Sequence, residues 1–125
     1  GTGGAHAIGH ALATVAGIPH GRAVTIGLEI ILPRNAEACP ETHAAVAEAL
    51  GYDKKADQCP TAFSRLIDRT GIDRLPSDTG IQPELLASVM RSPENLPMIQ
   101  NNACPISETY ILELARQILI DSIKR

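Results

Sequence analysis

Aromatic residues are nearly absent from the sequence. Only Tyr52, Phe63 and Tyr110 occur among 125 residues, so alanine, leucine, isoleucine and valine must build the core. Such side chains suit closely packed helices. The length allows one core but not two, and 44% hydrophobic with 20% charged residues is ordinary for a globular protein. We therefore expect a single domain.

Long apolar runs and an excess of basic residues are also missing. No run reaches the ~18 residues of a membrane span, and the N-terminus has neither a basic region nor a signal-type apolar segment. The formal net charge is −3, so the chain has no basic excess that would attract nucleic-acid phosphates or an anionic membrane. We therefore expect a cytoplasmic chain that binds neither nucleic acid nor membrane.

The cysteines form no recognisable motif. Cys39, Cys59 and Cys104 are odd in number, far apart, and never in Cys-x-x-Cys spacing, which argues against a structural zinc site. A catalytic role would need a base partner that the sequence does not indicate. We expect reduced, partly buried thiols.

Histidines are concentrated at the start of the chain. His6 and His10 are four residues apart, so on a helix they project from one face. Gly17 and Pro19 then break the helix and allow His20 to turn back toward the pair. Imidazole is a common ligand of zinc and ferrous iron. The alternative is that all three are hydrogen-bonded helix histidines, and the pattern alone leaves both interpretations open.

Hydrophobic periodicity predicts an all-α fold, a bundle of about six helices without strands. Beyond the first, histidine-bearing helix, the predicted helices cover residues 22–32, 41–50, 61–70, 81–91 and 107–123. Residues 33–35 are expected to end the second helix, Gly51 and Gly71 to cap the third and fourth, and Ser107 to cap the last and longest. One short helical turn is expected at 97–100. His43, in the first turn of the third helix, is assigned no role.

Residues 22–32 also fit a strand, because apolar side chains alternate at Val24, Ile26, Leu28 and Ile30. We favour a buried helix, since no second strand is available to pair with this one. Glu29 is the charge in the middle of the segment. We expect it to meet a polar seam or a partner rather than a substrate.

The spacing His6-x-x-x-His10, with His20 ten residues later in Pro-His-Gly, resembles the signature of the iron-containing alcohol dehydrogenases, which share the dehydroquinate synthase-like fold. The resemblance implies that His6 and His20 ligate a divalent metal, Fe²⁺ before Zn²⁺. It implies that His10 is the catalytic proton-relay or substrate-positioning group. Residues 80–90 and the loop Asn102-x-x-Pro105 extend the resemblance over the whole chain.

The resemblance further implies that residues 1–125 are one C-terminal metal-site domain, lacking the N-terminal dinucleotide-binding domain. No Gly-x-Gly-x-x-Gly or Gly-Gly-Gly-Ser turn occurs, and residues 1–5 offer no third metal ligand. The implied function is the metal-binding half of an NAD(P)-dependent alcohol dehydrogenase, acting on a small-molecule alcohol, aldehyde or ketone and inactive alone. An apolar surface left uncovered is expected to drive homo-oligomerisation.

Two alternatives stay open. In the first alternative, the chain is a stand-alone helical module that mediates an interaction or carries a metal. In the second, it is the equivalent domain of a dehydroquinate synthase-like or polyol dehydrogenase relative. The second alternative rests on the residues after Pro-His-Gly, which run from Arg22 to Thr25 as Arg-Ala-Val-Thr where the family often has Leu-Ala-Asn-Ala. In the family, the groups at this helix start lie near the substrate pocket. The substrate class and the role of Arg22 are therefore left open.

Overall fold

The computed structural model describes residues 3–75, 80–102 and 106–124, and this part of the chain contains helices and no strand. The helices are α1 (Gly4–Ala16), α2 (His20–Ala38), α3 (Pro40–Ala49), α4 (Gln58–Thr70), α5 (Pro83–Met90), α6 (Leu96–Gln100) and α7 (Ile111–Lys124), with a 3-10 turn at Glu108–Tyr110. The predicted all-α fold is confirmed. None of the helices in the described ranges is long and apolar enough to cross a membrane.

Helices α1 and α2 pack together at very short range. A Cβ atom on Gly9 would lie 2.7 Å from the Cα of Val24, and one on Gly27 would lie 2.5 Å from the carbonyl oxygen of Ala5. Any side chain at either glycine would therefore push the helices apart. Helices α5 and α6 pack against α1, and α7 packs against α5. The largest fully buried apolar side chains of the main core are Ile8, Leu12, Ile31, Leu86, Met90, Ile99, Ile111, Leu114 and Ile118.

Helix α2 continues through Pro33 to Ala38, so the prediction that residues 33–35 end it is wrong. Proline costs an internal helix one hydrogen bond and a steric clash. Here Leu32 and Ala36 are buried on either side of the proline, and their burial favours continuing the helix. With 19 residues, α2 rather than the last helix is the longest.

The other differences lie at helix ends. α4 begins at Gln58, so Pro60 lies inside its first turn, where a missing N–H is tolerated. Ser107 precedes a 3-10 turn and makes no side-chain capping bond, so the predicted cap on the last helix is wrong. The short turn at 97–100 is confirmed as α6, which brings the number of α-helices in the described ranges to seven. Gly51 and Gly71 have φ of 89° and 74°, the left-handed conformation expected of caps.

A smaller apolar cluster joins α2, α3 and α4 through Leu32, Ala47 and Cys59. Cys59 is buried and Cys39 partly buried, both as free thiols, which confirms the prediction for these two. Cys104 lies outside the described residues.

Candidate metal-binding site

The histidine-bearing segment is a helical hairpin. Gly17, with φ of 68°, ends α1, and its N–H donates to the carbonyl oxygen of Ala13 at 3.1 Å. Ile18 is buried in the core, and Pro19 then starts α2 so that His20 is its first residue. The hairpin fixes the backbones that carry His6, His10 and His20.

The structure brings the rings of His6 and His20 close together. Their centroids are 6.4 Å apart and their planes are inclined by 48°. A metal about 2.1 Å from an imidazole nitrogen lies roughly 3 Å from that ring's centre, so two rings on one tetrahedral ion have centres about 5 Å apart. The observed separation of 6.4 Å between the ring centroids is roughly an ångström longer than this distance. Because both residues are exposed, changes of side-chain rotamer are able to close this gap.

His10 has a different environment from the other two histidines. Its Nε2 lies 3.8 Å from Oε2 of Glu94, an exposed residue between α5 and α6. Its Nδ1 is buried and has no hydrogen-bond partner among the described residues. One ring nitrogen of His10 is therefore unused by the fold.

A pair of amide side chains, of which Asn102 is buried and Asn35 half-buried, holds the first turn of α1. Oδ1 of Asn102 accepts the N–H of Gly4 at 3.2 Å, and its Nδ2 donates to Oδ1 of Asn35 at 2.7 Å. A Cβ atom on Gly4 would lie 2.9 Å from that same Oδ1, so the contact depends on glycine. The pair anchors the helix two residues before His6. In the sequence, Asn102 stands out only as part of a loop motif, and nothing there indicates its contact with Gly4.

The charged residues of α2 that sequence reasoning singled out have structural partners. Glu29 is bound by Arg74, whose Nη2 lies 2.8 Å from Oε2, as expected for a charge facing a partner. Arg22 donates from Nε to the carbonyl oxygen of Asp73 at 2.7 Å and from Nη2 to that of Arg74 at 3.0 Å. Since Arg22 is engaged in this way, its presence after Pro-His-Gly is explained without a substrate.

The donor set suits part of a divalent-metal site. His6 and His20 offer two neutral nitrogen ligands, a chemistry that fits Fe²⁺ or Zn²⁺. No group of three His, Cys, Asp or Glu side chains comes together within the described ranges. A catalytic ion normally takes three protein ligands and one open position, so a complete site needs donors beyond this pair.

The comparisons with known proteins bear on the same segment. The family model described as Fe-containing alcohol dehydrogenase family, C-terminal, matches residues 1–119. Neither the curated proteins nor the solved structures contain a match. The matched residues include the three site histidines and almost all of the helical core.

Proposed function

This chain belongs to the Fe-containing alcohol dehydrogenase family, matching the model of its C-terminal domain, and on that premise we propose that it is the metal-binding part of an NAD(P)-dependent oxidoreductase. The reaction is the interconversion of a small-molecule alcohol with its aldehyde or ketone. Fe²⁺ is the first choice of metal and Zn²⁺ the second.

The observation that carries the proposal is the approach of the His6 and His20 rings, 6.4 Å between centroids, on two helices whose packing requires glycine. Both imidazoles would hold the metal, which supplies Lewis-acid polarisation of the substrate oxygen. His10 would accept the hydroxyl proton on its imidazole ring and return it in the reverse direction.

We assign no nicotinamide contact to this chain. The sequence has no glycine-rich turn able to hold a pyrophosphate at a helix start. The proposal is that a dinucleotide-binding domain outside these 125 residues holds the cofactor and contributes the remaining metal ligands. The 125-residue chain by itself should therefore be inactive.

Activity measurements test this assignment. The purified chain, given Fe²⁺ or Zn²⁺, an alcohol and either nicotinamide, should reduce no cofactor above background. In the enzyme that includes the dinucleotide-binding domain, His10→Ala should lower kcat by about 10²- to 10⁴-fold while leaving metal content nearly unchanged. His43→Ala, at a histidine bonded to the carbonyl of Cys39, is the matched control. Turnover by the chain alone, or equal losses of metal and activity in His10→Ala, would contradict the assignment.

We also propose that the isolated chain self-associates. Val46, Leu50 and Leu66 are 43%, 38% and 36% exposed, and with Phe63 they surround an apolar cavity of about 330 Å³. Exposed apolar patches of this kind favour association. Sedimentation velocity should show dimers that Leu50→Glu converts to monomers, whereas a monomeric wild-type chain at high concentration would refute self-association.

A further inference from the structure

A separate cavity of about 480 Å³ lies between α2, α4 and the start of α7. The residues that line it include Arg34, Arg65, Tyr110, Thr61, Ser64 and Gln117. At about 1.5 Å per residue, Arg34 lies roughly 21 Å along α2 from His20. We propose that this cavity binds the carboxylate or phosphate group of a small molecule between Arg34 and Arg65.

Arg34 is held in one orientation but has no hydrogen-bond acceptor among the described residues. Its guanidinium carbon lies 4.4 Å from the centroid of the Tyr110 ring, and this cation–π contact holds the planar group in place. Its Nε is buried without a hydrogen-bond partner, and the ion pairs of the described residues do not include it. Since Arg34 lines the cavity and no carboxylate of the described residues neutralises it, its guanidinium can pair with an anion there.

Arg65 brings a second positive charge to the same cavity. Its Nη1 is 3.5 Å from the hydroxyl of Tyr52, at the limit of a hydrogen bond, and its guanidinium carbon lies 5.6 Å from that ring's centroid. It has no carboxylate partner within the described ranges. The acidic residue in the lining, Glu29, is already paired with Arg74. The cavity therefore has an excess of positive charge.

The remaining lining suits an oxyanion. Guanidinium groups donate paired N–H groups in the geometry that carboxylate and phosphate oxygens accept. Thr61, Ser64 and Gln117 line the cavity with two hydroxyls and an amide, which are further donors. The first turn of α4, at Pro60 and Thr61, adds the positive end of a helix dipole. The volume is in the range of small-molecule sites.

Anion titration of the full 125-residue chain tests the proposal. The probes are inorganic phosphate and acetate, with chloride at matched ionic strength as the control, and the readout is the set of arginine Nε–H resonances in ¹H–¹⁵N spectra. Phosphate, acetate or both should shift the Arg34 resonance along a saturable curve, while chloride should not. The more tightly bound anion identifies the preferred group.

Variants assign the binding to the cavity. Arg34→Gln should weaken binding by about tenfold or more, and Arg65→Gln by several-fold. Arg116→Gln is the matched control, because Nη1 of Arg116 is 2.6 Å from Oε1 of Glu113 on the surface of α7. Absence of a saturable Arg34 shift with both anions would overturn the proposal, as would equal weakening by Arg116→Gln. If Arg34→Gln fails to fold, the wild-type shift of Arg34 compared with that of Arg116 decides the question.

Discussion

Arg74 binds both carboxylate oxygens of Glu29, with Nε 2.9 Å from Oε1 and Nη2 2.8 Å from Oε2. Glu29 is only 8% exposed, and the same guanidinium also reaches Oδ1 of Asp68 at 2.6 Å. Arg22 in turn donates from α2 to backbone carbonyls beside Arg74. Arg74, which follows α4, thus binds Glu29 of α2, and Arg22 of α2 binds the backbone around Arg74. Together these contacts hold the segment after α4 against α2.

Arg74→Met should lower the free energy of unfolding by about 3 kcal/mol, because it leaves the buried carboxylate of Glu29 unpaired. The hydrogen bond to Glu29 is the main cause that raises the pKa of Arg74. A raised pKa gives stability that is complete below the ordinary guanidinium value and lost only as pH rises through the folded value. Urea unfolding near neutral pH measures the loss. Arg116→Met, which breaks an exposed pair, should cost about 0–1 kcal/mol, and equal losses would contradict this role.

Cys59 should make the fold sensitive to alkali. Burial raises the pKa of its thiol above the ordinary value of 9.0. The folded chain therefore favours the protonated thiol, so its contribution is complete below pH 9.0 and lost as pH rises through the folded pKa. Denaturant unfolding from pH 7 to 11 should show a fall in stability that is smaller in Cys59→Ala than in Cys39→Ala. The same slope in both variants would show that another group is responsible.

Gly27→Ala should destabilise the helical hairpin by about 1–3 kcal/mol or more, because the added Cβ would lie 2.5 Å from a backbone oxygen. Gly21→Ala is the control on the same helix, since its Cβ would meet nothing within 4 Å. Thermal unfolding compares the two. A tolerated Gly27→Ala would mean that α1 and α2 are not held as closely as described.

Asn102→Leu should lower the free energy of unfolding by about 1–3 kcal/mol, because it removes the acceptor of the Gly4 N–H and the hydrogen-bond partner of the Asn35 amide. Hydrogen exchange should become faster first at the amides of the opening turn of α1. Gln100→Leu, at an exposed position nearby, should leave those amides unchanged. Uniform loss of protection throughout the chain would argue against a local cap.

Local pattern predicted the helices, and long-range partners account for most of what it missed. Periodicity and glycine caps mark six helical segments, but Pro33 predicts a helix end because the sequence does not reveal that Leu32 and Ala36 are buried around it. Asn102 and Gly4 are 98 positions apart in the sequence, and Arg74 and Glu29 are 45 apart. Local sequence patterns therefore predict neither contact. The roles of the three histidines came from resemblance to a family rather than from spacing alone.

Long-range ¹H–¹⁵N spectra of the imidazole rings during a Zn²⁺ titration test the central claim, that His6 and His20 share a metal. The ¹⁵N chemical shifts of these two rings should change together at the same ratio of Zn²⁺ to protein, while those of His43 stay unchanged. The same changes should occur in His10→Ala, because His10 is not expected to bind the metal. Shifts that appear equally at His43, or none at His6 and His20 when Zn²⁺ is in excess, would contradict the claim.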